Sequence, residues 1–101
     1  RISDPMNDYN IQLQEGDTNG RAFLKIDDQL KAEMTYSKAG DKLIIIDHTD
    51  VDASLRGQGV GRLLLDNIIG MVREQNKKII PLCPFAKSVF DKDESIHDVL
   101  S

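Results

Sequence analysis

The first half of the chain alternates between apolar and polar residues, as strands with one buried face do. We expect a first strand over residues 9–14, a hairpin of two strands over 22–26 and 30–36, and a fourth strand from Leu43. Clusters of Gly, Asp and Asn between these segments predict turns. The run 43–46 is wholly apolar and rich in β-branched residues, which is typical of a central strand covered on both faces. Polar residues then carry this strand on to Val51.

In the second half the period becomes helical. Apolar residues recur at four-residue steps, which predicts an amphipathic helix over 59–76; they are Val60, Leu64, Ile68 and Val72. A second buried strand is expected over 77–83. Pro84 suits the first turn of a short helix that ends near Phe90, and Asp93 can cap a last one.

The strand–helix–strand unit over 43–83 requires parallel pairing through a right-handed crossover. The predicted fold class is therefore α/β (α+β in some schemes). It has a mixed, mostly antiparallel twisted sheet, one parallel strand–helix–strand unit and short C-terminal helices.

Size and composition narrow the classes of function. A chain of 101 residues has the length of one domain. Its net charge of −4 argues against a nucleic-acid surface, and it has no apolar run of the ~20 residues that span a membrane. A single cysteine and the absence of metal-binding spacing favour a reducing, cytoplasmic location without a metal site. We interpret residues 1–5 as an expression scar before a native start at Met6, and residues 6–101 as one domain.

A glycine-rich turn joins the central strand to the main helix. Gly57, Gly59 and Gly61 lie between Arg56 and Arg62, and no acidic residue interrupts 53–65. Free backbone amides at a helix start attract anions, and glycines let a phosphate approach the backbone closely. A plain turn with glycines for tight packing explains the count equally well. A P-loop is excluded because no Gly-Lys-Ser/Thr follows, and the spacing does not fit a Rossmann fingerprint.

The spacing Arg56-x-x-Gly59-x-Gly61 resembles the Arg/Gln-x-x-Gly-x-Gly/Ala signature of GNAT N-acetyltransferases. The surroundings are similar too, with an apolar strand ending at Val51, Leu55 just before the turn, and three leucines at 63–65 inside the helix. Residues 92–100 resemble, more weakly, the tail of a very small, cysteine-bearing GNAT-like subfamily.

The resemblance implies a coenzyme A site and acetyl transfer from acetyl-CoA to an amine. It assigns the pyrophosphate to the turn and the pantetheine arm to backbone groups of Val51. The implied cofactor-binding residues are Val51, Arg56, Gly57, Gln58, Gly59, Val60, Gly61 and Arg62. Two alternatives stay open: a coenzyme-binding module with little catalysis, and a protein-interaction domain that uses an exposed sheet face.

The chain departs from the family pattern after the second buried strand. The usual Asn-x-x-Ala-x-x-x-Tyr is replaced by Cys83-x-x-Ala86-x-x-x-Phe90, so the tyrosine hydroxyl that protonates the leaving thiolate is missing. The chain also lacks room for the helices between the first two strands and for two closing strands of the family. Their absence predicts an open acceptor site for an amine of a peptide or protein, or a site that another subunit completes. Pro81 cannot donate to a neighbouring strand, which fits the place where the parallel strands splay in this fold.

Two residues are candidates for the chemistry. Cys83 is expected at the start of a helix, where the dipole favours a thiolate; it is interpreted as an acetyl-carrying nucleophile, a proton donor to the leaving coenzyme, or a small buried apolar residue. His48 lies near the end of the central strand and is interpreted as a general base or as an ordinary hydrogen-bonded strand residue.

Overall fold

The computed structural model describes residues 9–101, so the predictions for residues 1–5 and Met6 lie outside it. The described part contains five strands, two α-helices and two 3-10 segments. In chain order these elements are β1 (Gln12–Glu15), β2 (Asn19–Ile26), β3 (Gln29–Lys38), β4 (Leu43–Val51), a 3-10 turn (Ala53–Leu55), α1 (Val60–Gln75), β5 (Lys78–Pro81), α2 (Pro84–Lys92) and a last 3-10 helix (Glu94–Val99).

The strands form one sheet in the order β1-β2-β3-β4-β5. Neighbours are antiparallel except β4 and β5, which are parallel because α1 carries the chain back between them. This confirms the predicted mixed sheet with its parallel strand–helix–strand unit. Short turns join β1 to β2 and β2 to β3, and Asp27 and Asp28 adopt positive φ in the second of these turns.

Both helices contribute to a core that lies against one face of the sheet, called here the inner face. The predicted stripe of α1 is buried, and Ala32, Met34 and Tyr36 of β3 oppose it. The buried residues of α1 are Val60, Gly61, Leu64, Leu65, Ile68, Ile69 and Val72. The other face, called the outer face, carries mostly polar side chains.

The prediction that β4 is covered on both faces is wrong. Ile44 and Ile46 are fully buried on the inner face, whereas Leu43 and Ile45 are only partly buried. In the described part of the chain both helices pack on the inner face, so nothing comparable covers the outer one. A continuous apolar run is ambiguous, because it suits a one-sided strand whose second face is half-exposed as well as a fully covered one.

Several predicted boundaries also shift. The second and third strands are longer than predicted, at Asn19–Ile26 and Gln29–Lys38 instead of 22–26 and 30–36. The first strand starts at Gln12, and Leu13 remains 44% exposed at the sheet edge. The last strand spans only Lys78–Pro81, shorter than the predicted 77–83, because its pairing with β4 stops there. The second helix runs to Lys92, two residues beyond the predicted Phe90.

The parallel strands β4 and β5 part in the middle of β4. Their pairing ends at Ile46 and Pro81, while β4 continues to Val51 with β3 as its only neighbour among the strands of residues 9–101. The amides of Leu82 and Cys83 both donate to the carbonyl of Ile46, at 3.1 and 3.0 Å, which turns the chain away from β4. Proline supplies no donor at the last paired position, so Pro81 stands where the sheet opens, as predicted.

Substitutions of two glycines test the packing described here, because they should change the free energy of unfolding in opposite directions. A Cβ on Gly20 comes within 2.4 Å of the Tyr36 hydroxyl and 2.9 Å of the Gln14 carbonyl, so we expect Gly20→Ala to lower the free energy of unfolding by about 1–3 kcal/mol. Gly70 lies exposed in α1, and a Cβ added there meets no atom within 4 Å, so Gly70→Ala should raise that energy by up to about 1 kcal/mol. Urea unfolding followed by circular dichroism measures both. Equal effects of the two substitutions would contradict the described packing.

Candidate active site

An open cleft of about 570 Å³ lies on the inner face where β4 and β5 part. Its walls come from the end of β4, the glycine-rich turn, the start of α1 and one side of α2. The lining residues are Thr49, Val51, Leu55, Arg56, Gly57, Gly59, Val60, Gly61, Arg62, Phe85, Val89, Lys92 and Asp93. All the predicted cofactor-binding residues except Gln58 therefore line this cleft.

The start of α1 presents free backbone donors to this cleft. Gly57 and Gly59 adopt left-handed φ angles of 81° and 76°, which only glycine takes without strain. No side chain of residues 9–101 caps the helix, and its first backbone bond runs from Leu63 N–H to the Gly59 carbonyl. The amides of the residues between them have no intrahelical acceptor. Together with the helix dipole they give this end of α1 a positive potential that favours an anion.

Gly61 serves packing between the two helices. A Cβ at this position lies 2.8 Å from the Phe85 ring of α2, well inside van der Waals contact. The glycine therefore lets the ring lie directly against the first turn of α1. This contact fixes the width of the cleft, because α2 forms its opposite wall. The alternative that the sequence left open, glycine for tight packing, applies to this position.

The cationic side chains around the cleft differ in whether a carboxylate already pairs with them. Arg62 is held by two carboxylates, Asp66 at 2.8 Å and Asp93 at 2.7 Å, and these hydrogen bonds raise its pKa. Asp93 also accepts from the Ser95 hydroxyl, and this bond, followed by the one from Arg62, lowers the pKa of Asp93 to about 2. Arg56 and Lys92 form no ion pair with any residue in 9–101.

Backbone groups of Val51 point into the opening between the strands. The amide of the next residue, Asp52, donates to the carbonyl of Lys31 on the β3 side. Successive residues of a strand point to alternate edges, so the N–H and C=O of Val51 face away from β3. The carbonyl there accepts a long bond of 3.4 Å from Arg56 Nε.

Cys83 closes the floor of the same opening. It is the N-cap residue of α2, as predicted, and it is buried with 4% of its surface exposed. Its Sγ lies 2.9 Å from Oγ1 of Thr49, a residue of β4 that lines the cleft. The two side chains thus bridge the parted strands through one hydrogen bond. Cys83 does not itself line the cleft, but its thiol contacts Thr49, which does.

His48 lies on the other face of the sheet. It is cross-strand from Thr35, whose neighbours Met34 and Tyr36 are buried on the inner face, so His48 projects from the outer face and is exposed. The structure therefore does not bring His48 and Cys83 together, although both flank the same segment of β4.

Gln58 points away from the cleft. Its side-chain oxygen accepts from the Tyr9 hydroxyl at 2.7 Å, and its side-chain nitrogen donates to the Ser54 carbonyl at 3.3 Å. Its backbone amide donates to the Leu55 carbonyl at 3.3 Å. Gln58 holds the turn in shape and leaves its own backbone amide unavailable to a ligand in this conformation.

Six lining residues were not predicted as site residues: Leu55 and Asp93, which the sequence marked only as a flanking residue and a helix cap, and the four residues Thr49, Phe85, Val89 and Lys92. Thr49 could have been found, because it precedes Val51 by two residues and so shares its face of β4. The other three follow one another at steps of four and three residues and share one side of α2. That spacing was visible, but it does not show what this side of the helix packs against.

In residues 9–101 no helix is long and apolar enough to cross a membrane. The same part of the chain contains no group of three or more His, Cys, Asp or Glu side chains placed to hold a metal ion.

Comparison with solved structures gives relatives of this fold. A GCN5-like candidate N-acetyltransferase from Staphylococcus aureus, solved by NMR, is 36% identical with a TM-score of 0.70, covering 91% of this chain and 89% of its own. A ribosomal-protein-alanine N-acetyltransferase from Brucella melitensis is 16% identical (TM-score 0.64, 76% of this chain, 62% of its own). An aminoglycoside acetyltransferase from an uncultured soil metagenomic sample is 14% identical (TM-score 0.60, 81% of this chain, 59% of its own).

The last two structures share the fold alone, and this chain spans about three fifths of their length. No curated protein matches the chain. The family model described as GCN5-related N-acetyltransferase matches residues 21–99. The chain therefore belongs to the GCN5-related N-acetyltransferase (GNAT) family of acetyl-transferring enzymes, as its glycine-rich turn indicated.

Proposed function

We propose that this chain transfers an acetyl group from acetyl-CoA, bound in the cleft between the parted strands, to an amine of a peptide or protein. The observation that carries the proposal is the uncapped start of α1, whose free amides open onto a cleft of about 570 Å³. The family to which the chain belongs generally uses acetyl-CoA.

The residues of the cleft suit the parts of this coenzyme. In this proposal the amides of Val60, Gly61 and Arg62 receive the pyrophosphate, and the unpaired cations Arg56 and Lys92 lie at the rim of the cleft. Apolar side chains of the strand, turn and second helix supply a wall for the pantetheine arm; they are Val51, Leu55, Phe85 and Val89. Gln58 would contribute through the shape of the turn alone, and Arg62 through its amide, because its guanidinium is already paired.

The chemistry needs a polarised carbonyl, a proton for the departing sulfur and a base for the amine. Acetyl-CoA supplies the thioester. The Val51 amide faces the opening between the strands and can donate to the carbonyl oxygen as charge develops there. The Cys83 thiol, held by Thr49, donates its proton to the departing sulfur, in place of the tyrosine that Phe90 replaces. His48 takes the proton of the amine from the outer face.

A second candidate function is coenzyme binding with little catalysis. It is favoured by Phe90, which is 1% exposed and carries no hydroxyl, and by the burial of Cys83. Binding of coenzyme A without turnover of a lysine peptide, the free amine spermidine or an aminoglycoside would support it. If the wild-type protein does not bind coenzyme A at all, the remaining alternative is a protein-interaction domain.

The first prediction concerns the glycine-rich turn. Gly59→Asp places bulk and negative charge at the proposed pyrophosphate site and should abolish coenzyme A binding in calorimetric titration. Gly40→Asp is the matched control, since Gly40 has φ 84° and lies in the turn before β4, away from the cleft. The control should bind as the wild type does. Unchanged affinity in folded Gly59→Asp would refute the assignment of this turn.

The second prediction separates the cations. Arg56→Ala should weaken coenzyme A binding by about 1–2 kcal/mol, the value of one charge-assisted contact. Lys92→Ala should have a smaller effect in the same direction, since an ammonium gives one point contact. Lys87→Ala removes a charge of α2 that pairs with Asp91 outside the cleft and should leave affinity unchanged. Equal losses in all three variants would show only a general effect of charge.

The third prediction concerns Cys83. As a proton donor it should form no acetyl adduct, and Cys83→Ala should lower turnover by about 10²-fold or more with coenzyme affinity nearly unchanged. Thr49→Val, which breaks the hydrogen bond but keeps the side-chain shape, should lower turnover less than Cys83→Ala, and Thr49→Ser should restore it. Mass spectrometry and steady-state rates with a lysine peptide measure these effects.

Other outcomes assign Cys83 differently. An acetyl adduct that forms with acetyl-CoA alone and is lost in Cys83→Ser would make it a nucleophile. Full activity in folded Cys83→Ala would exclude both chemical roles and leave packing.

A further inference from the structure

A second concavity, of about 540 Å³, lies across β1–β4, away from the cleft. Its lining is polar, and Gln14, Arg21, Thr35, Ser37 and Asp47 contribute side chains from four strands. We call it the polar pocket. No part of the coenzyme site described above uses it.

Most charges around the polar pocket are already balanced. Arg21 pairs with Glu33 at 2.5 Å and donates to Gln14 at 2.8 Å. Glu15 lies 3.3 Å from Lys38 and accepts from the Tyr36 hydroxyl.

Asp47 is the exception. Its carboxylate accepts from the Ser37 hydroxyl at 2.5 Å, and no Lys, Arg or His nitrogen of residues 9–101 lies within 4.0 Å of it. The side chain is exposed to the pocket. The polar pocket therefore carries one uncompensated negative charge, which favours a cation.

A β-bulge in β4 places Asp47 beside His48, close to the point where β4 and β5 separate. The pairing of β3 with β4 skips Asp47, which leaves it as an extra residue between Ile46 and His48. A bulge turns two successive residues toward one face. The Ser37 contact places Asp47 on the outer face with His48, while Thr49 returns to the cleft. Ile46 is the last residue that pairs with β5, so the bulge sits where the strands part.

We propose that the polar pocket is the acceptor site and that Asp47 recognises a primary alkylammonium group there. This inference rests on the proposed function. The ammonium is held by the carboxylate on the outer face, beside His48 and at the edge of the opening that leads to the cleft. A lysine side chain of a peptide and a free alkylamine share this chemistry, and the open pocket fits the peptide source better because nothing in the described chain encloses a small molecule there.

The test is a titration of ¹⁵N-labelled protein, without coenzyme, monitored by two-dimensional NMR. The probe is Nα-acetyl-lysinamide, and Nα-acetyl-norleucinamide is its uncharged counterpart. We expect saturable amide shifts at Thr35, Ser37 and Asp47 with the lysine probe and none with norleucine. Asp47→Asn should weaken binding roughly three- to tenfold, as the loss of one charge-assisted contact does.

Asp50→Asn is the matched control, because Asp50 lies on the outer face of the same strand, opposite Glu33 and outside the polar pocket. It should change affinity less than about twofold, since it removes a charge without removing the proposed contact. Shifts that map elsewhere, or equal affinities of the two variants, would overturn the proposal. Tighter binding of Nα-acetyl-lysinamide than of pentylamine would assign the peptide source, and the reverse the free amine. Coenzyme titration is a separate measurement, so failure here is distinguishable from failure of the cleft assignment.

Discussion

Strands β4 and β5 pair over only four residues each, and the position at which they separate shapes everything around the site. After Ile46 the backbone of β4 loses its second neighbour, so the polar groups of Val51 face an opening where a sheet would normally bond them. Burying such groups without partners is costly. They are tolerated here because the cleft is open to solvent, and the hydrogen bond between Thr49 and Cys83 bridges its floor.

Around this opening some hydrogen-bond donors have no partner in the described chain, whereas the guanidinium of Arg62 is paired with carboxylates. The start of α1 has no side-chain cap within residues 9–101, which forgoes the stabilisation of about 1 kcal/mol that a cap contributes. Arg62, in the first turn of the helix, is fully engaged by Asp66 and Asp93. The free positive potential is therefore concentrated at backbone amides and at Arg56 and Lys92. In a chain of net charge −4, such local placement attracts an anion to one place on the surface.

The bulge in β4 decides which side chains each face of this strand carries. Strict alternation from Ile46 would carry His48 to the inner face and Thr49 to the outer one. With Asp47 as the extra residue, the carboxylate and His48 stand together on the outer face, and Thr49 meets Cys83 on the inner one. An amine and a thioester can then approach the same segment from opposite sides, which is the arrangement that our two proposals share.

Sequence alone determined much of the fold, because local patterns report local structure. Alternation located the antiparallel strands, the 3.6 period located α1, and strand–helix–strand order required the parallel pair. Glycine spacing located the turn, since positive φ at Gly57 and Gly59 is a backbone requirement that a residue type can reveal. Pro84 and Asp93 marked the starts of short helices for the same reason.

Tertiary structure decided what depends on residues distant in the chain. Asp66, one helical turn after Arg62, is a partner that the sequence can suggest. Asp93 is not, because it lies 31 positions away and reaches Arg62 only in the folded chain. The second face of β4 was predicted wrongly because apolar composition does not show which side the helices cover. The bulge at Asp47 placed His48 and Cys83 on opposite faces, since one extra residue inverts the face of a strand and leaves no mark in the hydrophobic pattern.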